Sequence, residues 1–264
     1  MDDLSRLKEA AKTTWAKGSY GVIARSLLPT GAHLVRAARV AAGDRVLDVA
    51  CGTGVAAITA RLAGANVAGL DLTPELLEEA KVIAAAADAD GIEWRQGDAE
   101  QLPYADQSFD VVVSSFGHMF APRPDLATAE MLRVLRPGGR IAFTTWPPEH
   151  ATGAMFRTIA KHAPPPSGIP SPLEWGHPET VRQRLGAGVH QMVFERGVVQ
   201  FYAFSPAHFW QMFSTYFGPT IRAVEHVGPA GAATLRQDLI DAAAPHFRDN
   251  VVHYDYLLTR AVKK

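Results

Sequence analysis

Short apolar runs alternate with helix-like stretches through the first half of the chain. Val46, Leu47 and Val49 form an apolar run that predicts a buried strand, and the pattern of Val55–Leu62 predicts a helix directly after it. Similar runs predict four more strands, at Asn66–Leu70, Ile92–Gln96, Phe109–Ser115 and Arg140–Trp146. Strands that alternate with helices indicate an open parallel α/β sheet, and such sheets bind ligands at the carboxyl ends of their strands.

The two ends of the chain carry different patterns. Short helices are predicted at Leu4–Trp15, at Val22–Leu28, where Pro29 would end the helix, and at Ala32–Val40. The second half predicts a helix from His177 to Leu185, a strand over 191–204, a helix opened by Ser205-Pro206, a helix over 231–247 and a last strand over 251–262. We therefore expect one domain, 1–264, divided into lid helices (1–40), a ligand-binding core (41–146), a substrate cap and loop insertion (147–225), and a last helix and strand (226–264).

Composition narrows the function classes. The chain has 264 residues, a net charge of −1 and one cysteine, so it has no basic field for nucleic acid and can form neither an internal disulfide nor a zinc site built on several cysteines. Its ten histidines lack metal-ligand spacing. The start of the sequence lacks the pattern of a signal peptide, and no apolar run has membrane-spanning length. We expect a cytoplasmic protein with no metal, no membrane contact and no nucleic-acid partner.

The turn after the first strand is the first candidate binding site. Glycines at 52 and 54 let the backbone approach a ligand closely, and the unpaired N–H groups of the following helix would face it. Gly52-x-Gly54-x-x-Ala57 also fits a degenerate dinucleotide fingerprint, so a nicotinamide cofactor is one alternative. Asp48 favours S-adenosylmethionine instead, because its carboxylate would oppose a pyrophosphate but suits the ammonium group of a methionine moiety.

Acidic residues end the second and third predicted strands. A carboxylate at Asp71 can accept both hydroxyls of a ribose, although this residue could also only cap the next helix. At the third strand, Asp98 can accept the exocyclic amine of adenine while the backbone N–H of Ala99 reaches a ring nitrogen. The alternative for this pair is a plain turn.

Four stretches together resemble class I S-adenosylmethionine-dependent methyltransferases, especially the ubiquinone/menaquinone-biosynthesis type. They are Leu47–Gly54, Gly97–Pro103, Ser108–Val113 and Glu130–Gly139. The resemblance implies a Rossmann-like, doubly wound, seven-stranded sheet, mostly parallel with an antiparallel last strand, and a small cap. It also implies S-adenosylmethionine as cofactor, contacted by Asp48, Ala50, Cys51, Gly52, Gly54, Asp71, Leu72, Asp98, Ala99 and Ser114. Tyr20, beside the lid helices, is a further candidate contact for the methionine part, and its alternative is packing of these helices on the domain. Ala50 stands where the family usually has glycine, which predicts a slightly tighter loop.

A general base is the one catalytic residue that the sequence suggests. His118 follows the fourth strand, and histidine has a pKa suited to deprotonating a hydroxyl near neutral pH. Its alternative is a loop histidine that only lines the pocket. A base is optional in any case, because alignment of the reactants can supply about 7–11 kcal/mol of the barrier.

Aromatic residues of the second half predict an apolar acceptor pocket. They are concentrated in Phe201–Phe217, and Trp146, Phe156, Trp175 and the apolar Met155 add to them, beside a proline-rich tract at Ala163–Pro172. For any one of these residues the alternative is ordinary packing in the core. We expect O- or C-methylation of a small, largely apolar acceptor of quinone, phenol or polyketide type, by a chain whose state as monomer or homodimer is open. The alternatives are a catalytically silent cofactor-binding regulator and a protein or RNA methyltransferase. Ser114-Ser-Phe-Gly117 stands where amino-group methyltransferases carry an Asn/Asp-Pro-Pro-aromatic motif.

Overall fold

A computed structural model of the protein describes residues 2–166 and 168–264; Ser167, within the predicted proline-rich tract, lies outside the described residues. The α-helices are α1 (Asp3–Trp15), α2 (Tyr20–Ala24), α3 (Leu28–Ala37), α4 (Val55–Leu62), α5 (Pro74–Ala86), α6 (Pro124–Val134), α7 (His150–His162), α8 (Pro178–Leu185), α9 (Pro206–Tyr216) and α10 (Gly218–Ala243). The strands are β1 (Arg45–Val49), β2 (Asn66–Asp71), β3 (Glu93–Gln96), β4 (Phe109–Ser115), β5 (Leu135–Thr145), β6 (Val189–Tyr202), β7 (Phe247–Arg248) and β8 (Val251–Lys263).

The strands form one sheet in the order β3-β2-β1-β4-β5-β8-β6, with the two-residue β7 paired to β8. Strands β1 to β5 pair in parallel, and β8 runs antiparallel between β5 and β6. This order confirms the predicted Rossmann-like sheet of seven main strands and its antiparallel last strand. Because the chain leaves β1 on one side toward β2 and later returns on the other side as β4, the ends of β1 and β4 border the crevice where such sheets bind ligands.

Apart from Asp48 and Ser114, the buried residues of the two central strands are apolar on both faces of the sheet. Val46, Leu47 and Val49 of β1 are fully buried, as are Val111–Val113 of β4. Helices cover both faces of a parallel sheet, so its central strands contain continuous apolar runs rather than alternating ones. Because these strands are held in the core, the positions of their carboxyl ends, and of the polar turns that follow them, are fixed.

The bounds of two predicted helices were wrong, and each has a proline near the point where it differs. Pro29 does not end a helix but lies in the first turn of α3, where its missing N–H costs nothing. The helix predicted over 231–247 is the second part of α10, which begins at Gly218 and bends at Gly228 (φ 62°, ψ −174°) just before Pro229. Among the described residues, no helix combines the length and apolarity needed to cross a bilayer.

Candidate active site

A cavity of about 240 Å³ opens at the carboxyl ends of the parallel strands. Its walls come from the turn after β1, the ends of β2 and β4, the turn after β3, and helices α1, α2, α7 and α9. Residues from the start, the middle and the second half of the chain therefore share one pocket.

The turn after β1 exposes its backbone to this cavity. Ala50, Cys51, Gly52 and Thr53 line the pocket, and Ala50 and Gly52 both have left-handed φ angles, 53° and 54°. Glycine adopts this conformation freely, whereas alanine is strained in it. Ala50, which stands where the family usually has glycine, is therefore at a strained point of the site.

Gly54, another predicted cofactor contact, ends the turn after β1. It has a φ of 82°, caps the start of α4 and is not among the residues that line the cavity. A Cβ atom there would lie 2.6 Å from the ring of Trp94. The absent side chain thus makes room for this ring.

Asp71 joins two turns at the edge of the cavity. Its Oδ2 accepts the N–H of Gly52 at 2.8 Å, and its Oδ1 accepts the N–H of Thr73 at 2.8 Å. Burial raises the pKa of this carboxyl group. Each carboxylate oxygen can accept more than one hydrogen bond, so Asp71 keeps acceptor capacity toward the cavity, which Leu72 also lines.

Two other predicted cofactor contacts, Asp48 and Ser114, lie behind the glycine turn and do not line the cavity. Asp48 is fully buried, its Oδ2 accepts the N–H of Ala57 at 2.9 Å, and burial, with the nearby charge of Asp71, raises its pKa to about 8. Ser114 donates to the carbonyl of Val49 at 2.7 Å. Side chains alternate along a strand, so the next residue, Ser115, lines the cavity instead.

Asp98 and Ala99 both line the cavity, but Asp98 already has a cationic partner. Lys8 of α1 places its Nζ 2.5 Å from Oδ2 of Asp98 and also contacts Glu100, whose carboxylate is fully buried. Glu100 in turn accepts the backbone N–H of Arg123 at 2.6 Å. The sequence analysis missed Lys8 and Glu100, because nothing near Lys8 in the sequence indicates which strand end α1 will cover.

The structure does not bring His118 to the cavity. Its side chain is 1% exposed and lies between the rings of Phe143 and Trp175, with centroid distances of 4.5 and 4.6 Å. Neither ring nitrogen has a hydrogen-bond partner among the described residues, and burial lowers the pKa of His118 to about 3. A neutral imidazole enclosed in this way cannot take a proton from an acceptor in the cavity.

Aromatic side chains form the other end of the cavity. Trp15 packs edge-on against Phe120 and Phe217, at 5.1 and 5.7 Å, and Phe116 stacks on Trp146 at 3.7 Å. The lining also includes the predicted residues Met155, Phe156, Phe201 and Phe213, but not Trp175. Tyr20 bridges the two ends, with its ring 3.6 Å from where a Cβ of Gly52 would be.

The charges around the cavity favour a nucleoside without phosphate. The charged side chains among the described lining residues are Lys8, Asp71 and Asp98, and Lys8 is already paired with carboxylates. A pyrophosphate would find acids and no free cation here, whereas ribose hydroxyls and an adenine amine would find acceptors. Within the described part of the chain, no cluster of three metal-ligating side chains occurs.

The chain is similar in sequence to known methyltransferases. Residues 47–143 match the family described as a methyltransferase domain. The chain is 38% identical over 258 residues to an uncharacterized protein of Mycobacterium tuberculosis strain H37Rv, covering 96% of this chain and 94% of that protein. It is 41% identical over 128 residues to demethylmenaquinone methyltransferase of Deinococcus radiodurans, covering 47% and 53% of the two chains.

A solved structure shares the fold. The YcgJ protein of Bacillus subtilis superposes with a TM-score of 0.58 at 20% identity, covering 89% of this chain and 98% of that chain. Together with the glycine turn, the acidic strand ends and the sheet order, these similarities identify the family. The chain belongs to the class I S-adenosylmethionine-dependent methyltransferases and is an enzyme that uses S-adenosylmethionine as its cofactor.

Proposed function

We propose that this enzyme methylates an oxygen or carbon atom of a small, uncharged, largely apolar acceptor. The observation that carries the proposal is the shape of the lining: one cavity joins the polar turns at the strand ends to a chamber of aromatic side chains. A cofactor held by the polar end would present its reactive group to whatever fills the aromatic end.

The polar end supplies partners for each part of the cofactor. In this proposal Asp71 accepts the ribose hydroxyls, Asp98 and the N–H of Ala99 bind adenine, and the exposed backbone of 50–53 holds the methionine end, with Tyr20 above it. When bound, S-adenosylmethionine supplies an electrophilic methyl group on a sulfonium sulfur. The residues around it align the acceptor and exclude water, and such alignment lowers the barrier without a dedicated base.

The aromatic end favours a neutral acceptor. Lys8, Asp71 and Asp98 all belong to the polar end, so the described part of the aromatic chamber offers no charge to a phosphate, a carboxylate or an amine. The net charge of −1 likewise gives no attraction to RNA. The similarity to demethylmenaquinone methyltransferase over 47% of this chain also supports a small-molecule acceptor.

Replacing Asp71 tests the polar end. We expect Asp71→Ala to weaken S-adenosylmethionine binding by about 100-fold, since two hydrogen bonds to a charged acceptor are lost. Calorimetry measures the affinity, and circular dichroism checks the fold, because Asp71 also accepts two backbone N–H groups. The matched control is Asp241→Ala, an exposed position on α10. Unchanged affinity in Asp71→Ala would remove the ribose assignment.

An acceptor screen tests the aromatic end. S-adenosylhomocysteine formation is measured with neutral phenols, hydroquinones and enolisable polyketides, and with peptides, RNA and charged amines as comparisons. We expect turnover only in the neutral group. Turnover of RNA or peptides alone would replace the proposal with a macromolecular substrate, and cofactor binding without any turnover would indicate a silent regulator.

A further inference from the structure

Two residues that line the cavity have buried hydroxyl groups without hydrogen-bond partners in the described structure. Thr152, in the first turn of α7, is 1% exposed, and its Oγ1 has no hydrogen-bond partner among the described residues. The Oγ of Ser115, at the end of β4, is also buried and unpartnered. Both residues line the cavity. Buried polar groups in folded proteins are nearly always hydrogen-bonded, so exceptions at a ligand site call for an explanation.

Thr152 differs from another threonine of the same helix. A helical threonine commonly donates to the carbonyl four residues earlier, and Thr158 does so to Ala154 at 2.9 Å. For Thr152 that carbonyl belongs to Pro148, which accepts a hydrogen bond from Arg157 at 2.6 Å instead. The hydroxyl of Thr152 thus lacks the acceptor that a helical threonine commonly uses, in a residue that lines the cavity.

A third hydroxyl lies in the same lining. Tyr254 donates to the sulfur of Met155 at 3.3 Å, which is a weak acceptor, and burial raises the pKa of the phenol. Tyr254 therefore stays a protonated donor. The polar groups in this part of the lining are neutral hydroxyls among aromatic rings, including the stacked pair Phe116 and Trp146.

We infer that the hydroxyls of Thr152 and Ser115 recognise an oxygen of the acceptor, and that Thr152 is a specificity-determining residue. The inference rests on the proposed function and narrows its substrate class to planar, oxygen-bearing molecules such as phenols, quinols and enols. A hydroxyl can donate to a carbonyl or accept from a phenol, so it suits this class. A planar hydrocarbon of the same size fills the space between the aromatic rings but leaves the hydroxyls without a hydrogen-bond partner.

Two probes that differ by one oxygen test the assignment. Binding of 1-naphthol and of naphthalene is measured by quenching of tryptophan fluorescence, with S-adenosylhomocysteine present. We expect Thr152→Val, which keeps the shape and removes the hydroxyl, to weaken 1-naphthol binding about 5- to 10-fold and to leave naphthalene unchanged. Thr152→Ser should keep most of the wild-type affinity for 1-naphthol, and adding Ser115→Ala to Thr152→Val should weaken its binding further.

The control is Thr259→Val. Thr259 lies on β8, is fully buried and also has an unpartnered hydroxyl among the described residues, but it does not line the cavity. We expect this variant to bind both probes like the wild type. In Thr152→Val, the affinity for S-adenosylhomocysteine and the melting temperature without ligand should not fall.

Three results would overturn the inference. In Thr152→Val, the affinities for 1-naphthol and naphthalene could fall equally, or the affinity for 1-naphthol could stay unchanged. The third result is a wild type that does not bind 1-naphthol. Because these readouts need no turnover, they are separate from the acceptor screen. If no acceptor is turned over in the screen but 1-naphthol still binds better than naphthalene, the result counts against the proposed reaction. If acceptors are turned over and Thr152→Val binds 1-naphthol like the wild type, the result counts against this recognition site alone.

Discussion

His118 shows how much one residue's surroundings decide its chemistry. Its place after β4 made it the natural candidate for a base, but the rings of Phe143 and Trp175 enclose the imidazole. Removal from water disfavours the charged form, which is why its pKa falls to about 3. The side chain is therefore part of the core, and it makes folding sensitive to acid.

Replacing His118 with leucine should separate stability from catalysis. The folded pKa lies below the unfolded value of about 6.5, so this group costs no stability above that pH and costs progressively more as the pH falls toward 3. Between pH 7.5 and pH 4 we expect the wild type to lose about 2–4 kcal/mol more unfolding free energy than His118→Leu. Urea denaturation measures this difference.

Methyl transfer at pH 7.5 should persist in His118→Leu, within about 3-fold, because His118 does not line the cavity and an apolar residue of similar size disturbs the core little. The matched control is His226→Leu, at an exposed position of α10, for which no such change in pH dependence is expected. This account would be contradicted if the unfolding free energies of His118→Leu and the wild type changed in parallel with pH. It would also be contradicted if turnover fell by more than 100-fold with the fold intact.

At the scale of elements, α1 depends on a few side chains. Asp2 caps its start by accepting the N–H of Ser5 at 2.7 Å, yet the helix contains no fully buried residue. Its attachment to the cavity is through Trp15, which contacts Phe120 and Phe217, and through Lys8, which pairs with carboxylates after β3. A helix with so little buried surface can open locally at low cost.

Lys8→Met should loosen α1 without unfolding the rest. The Lys8 side chain is only 15% exposed and its partner Glu100 is fully buried, so the pair is worth more than a surface ion pair, and Arg123 still neutralises Glu100 in the variant. We expect faster hydrogen exchange over residues 3–15 and about 10-fold faster release of S-adenosylmethionine.

Mass spectrometry of exchanged peptides and stopped-flow kinetics provide the two measurements. Lys12→Met, on the same helix at a position without an ion pair in the described structure, is the matched control. Equal exchange rates in the two variants would show that Lys8 does not hold the helix.

For the whole molecule, the cavity joins parts of the chain that are far apart in sequence. Its lining runs from Leu7 in α1 to Tyr254 in β8. A ligand that binds these walls only when they are assembled stabilises the folded state by mass action.

S-adenosylhomocysteine at about 100 times its dissociation constant should therefore add about 2.7 kcal/mol of stability and raise the melting temperature by about 5–8 °C. NAD at the same concentration should leave it unchanged, because the polar end has no free cation for a pyrophosphate. Differential scanning fluorimetry of the wild type and of Asp71→Ala checks both expectations. A shift with NAD but not with S-adenosylhomocysteine would contradict the assignment of the pocket.

The sequence by itself determined the parallel sheet, the glycine turn and the acids at the strand ends. These features depend on spacing along the chain: an apolar run such as Val111–Val113 has to be buried, and the residues that follow a parallel strand have to lie at one edge of the sheet. Part of the aromatic lining was also predicted, because Phe201, Phe213 and Phe217 lie close together in the sequence.

Only the tertiary structure decided which side chains reach the cavity. It turned Ser115 toward the pocket and Ser114 away, enclosed His118, and brought Lys8 to Asp98 from a helix 90 positions earlier in the chain. Side-chain direction and long-range packing have no local signature, because each depends on atoms contributed by distant segments. The sequence thus places most of the predicted cofactor contacts at the cavity but not Asp48, Gly54 and Ser114, whereas the acceptor chamber exists only once both ends of the chain close over the sheet.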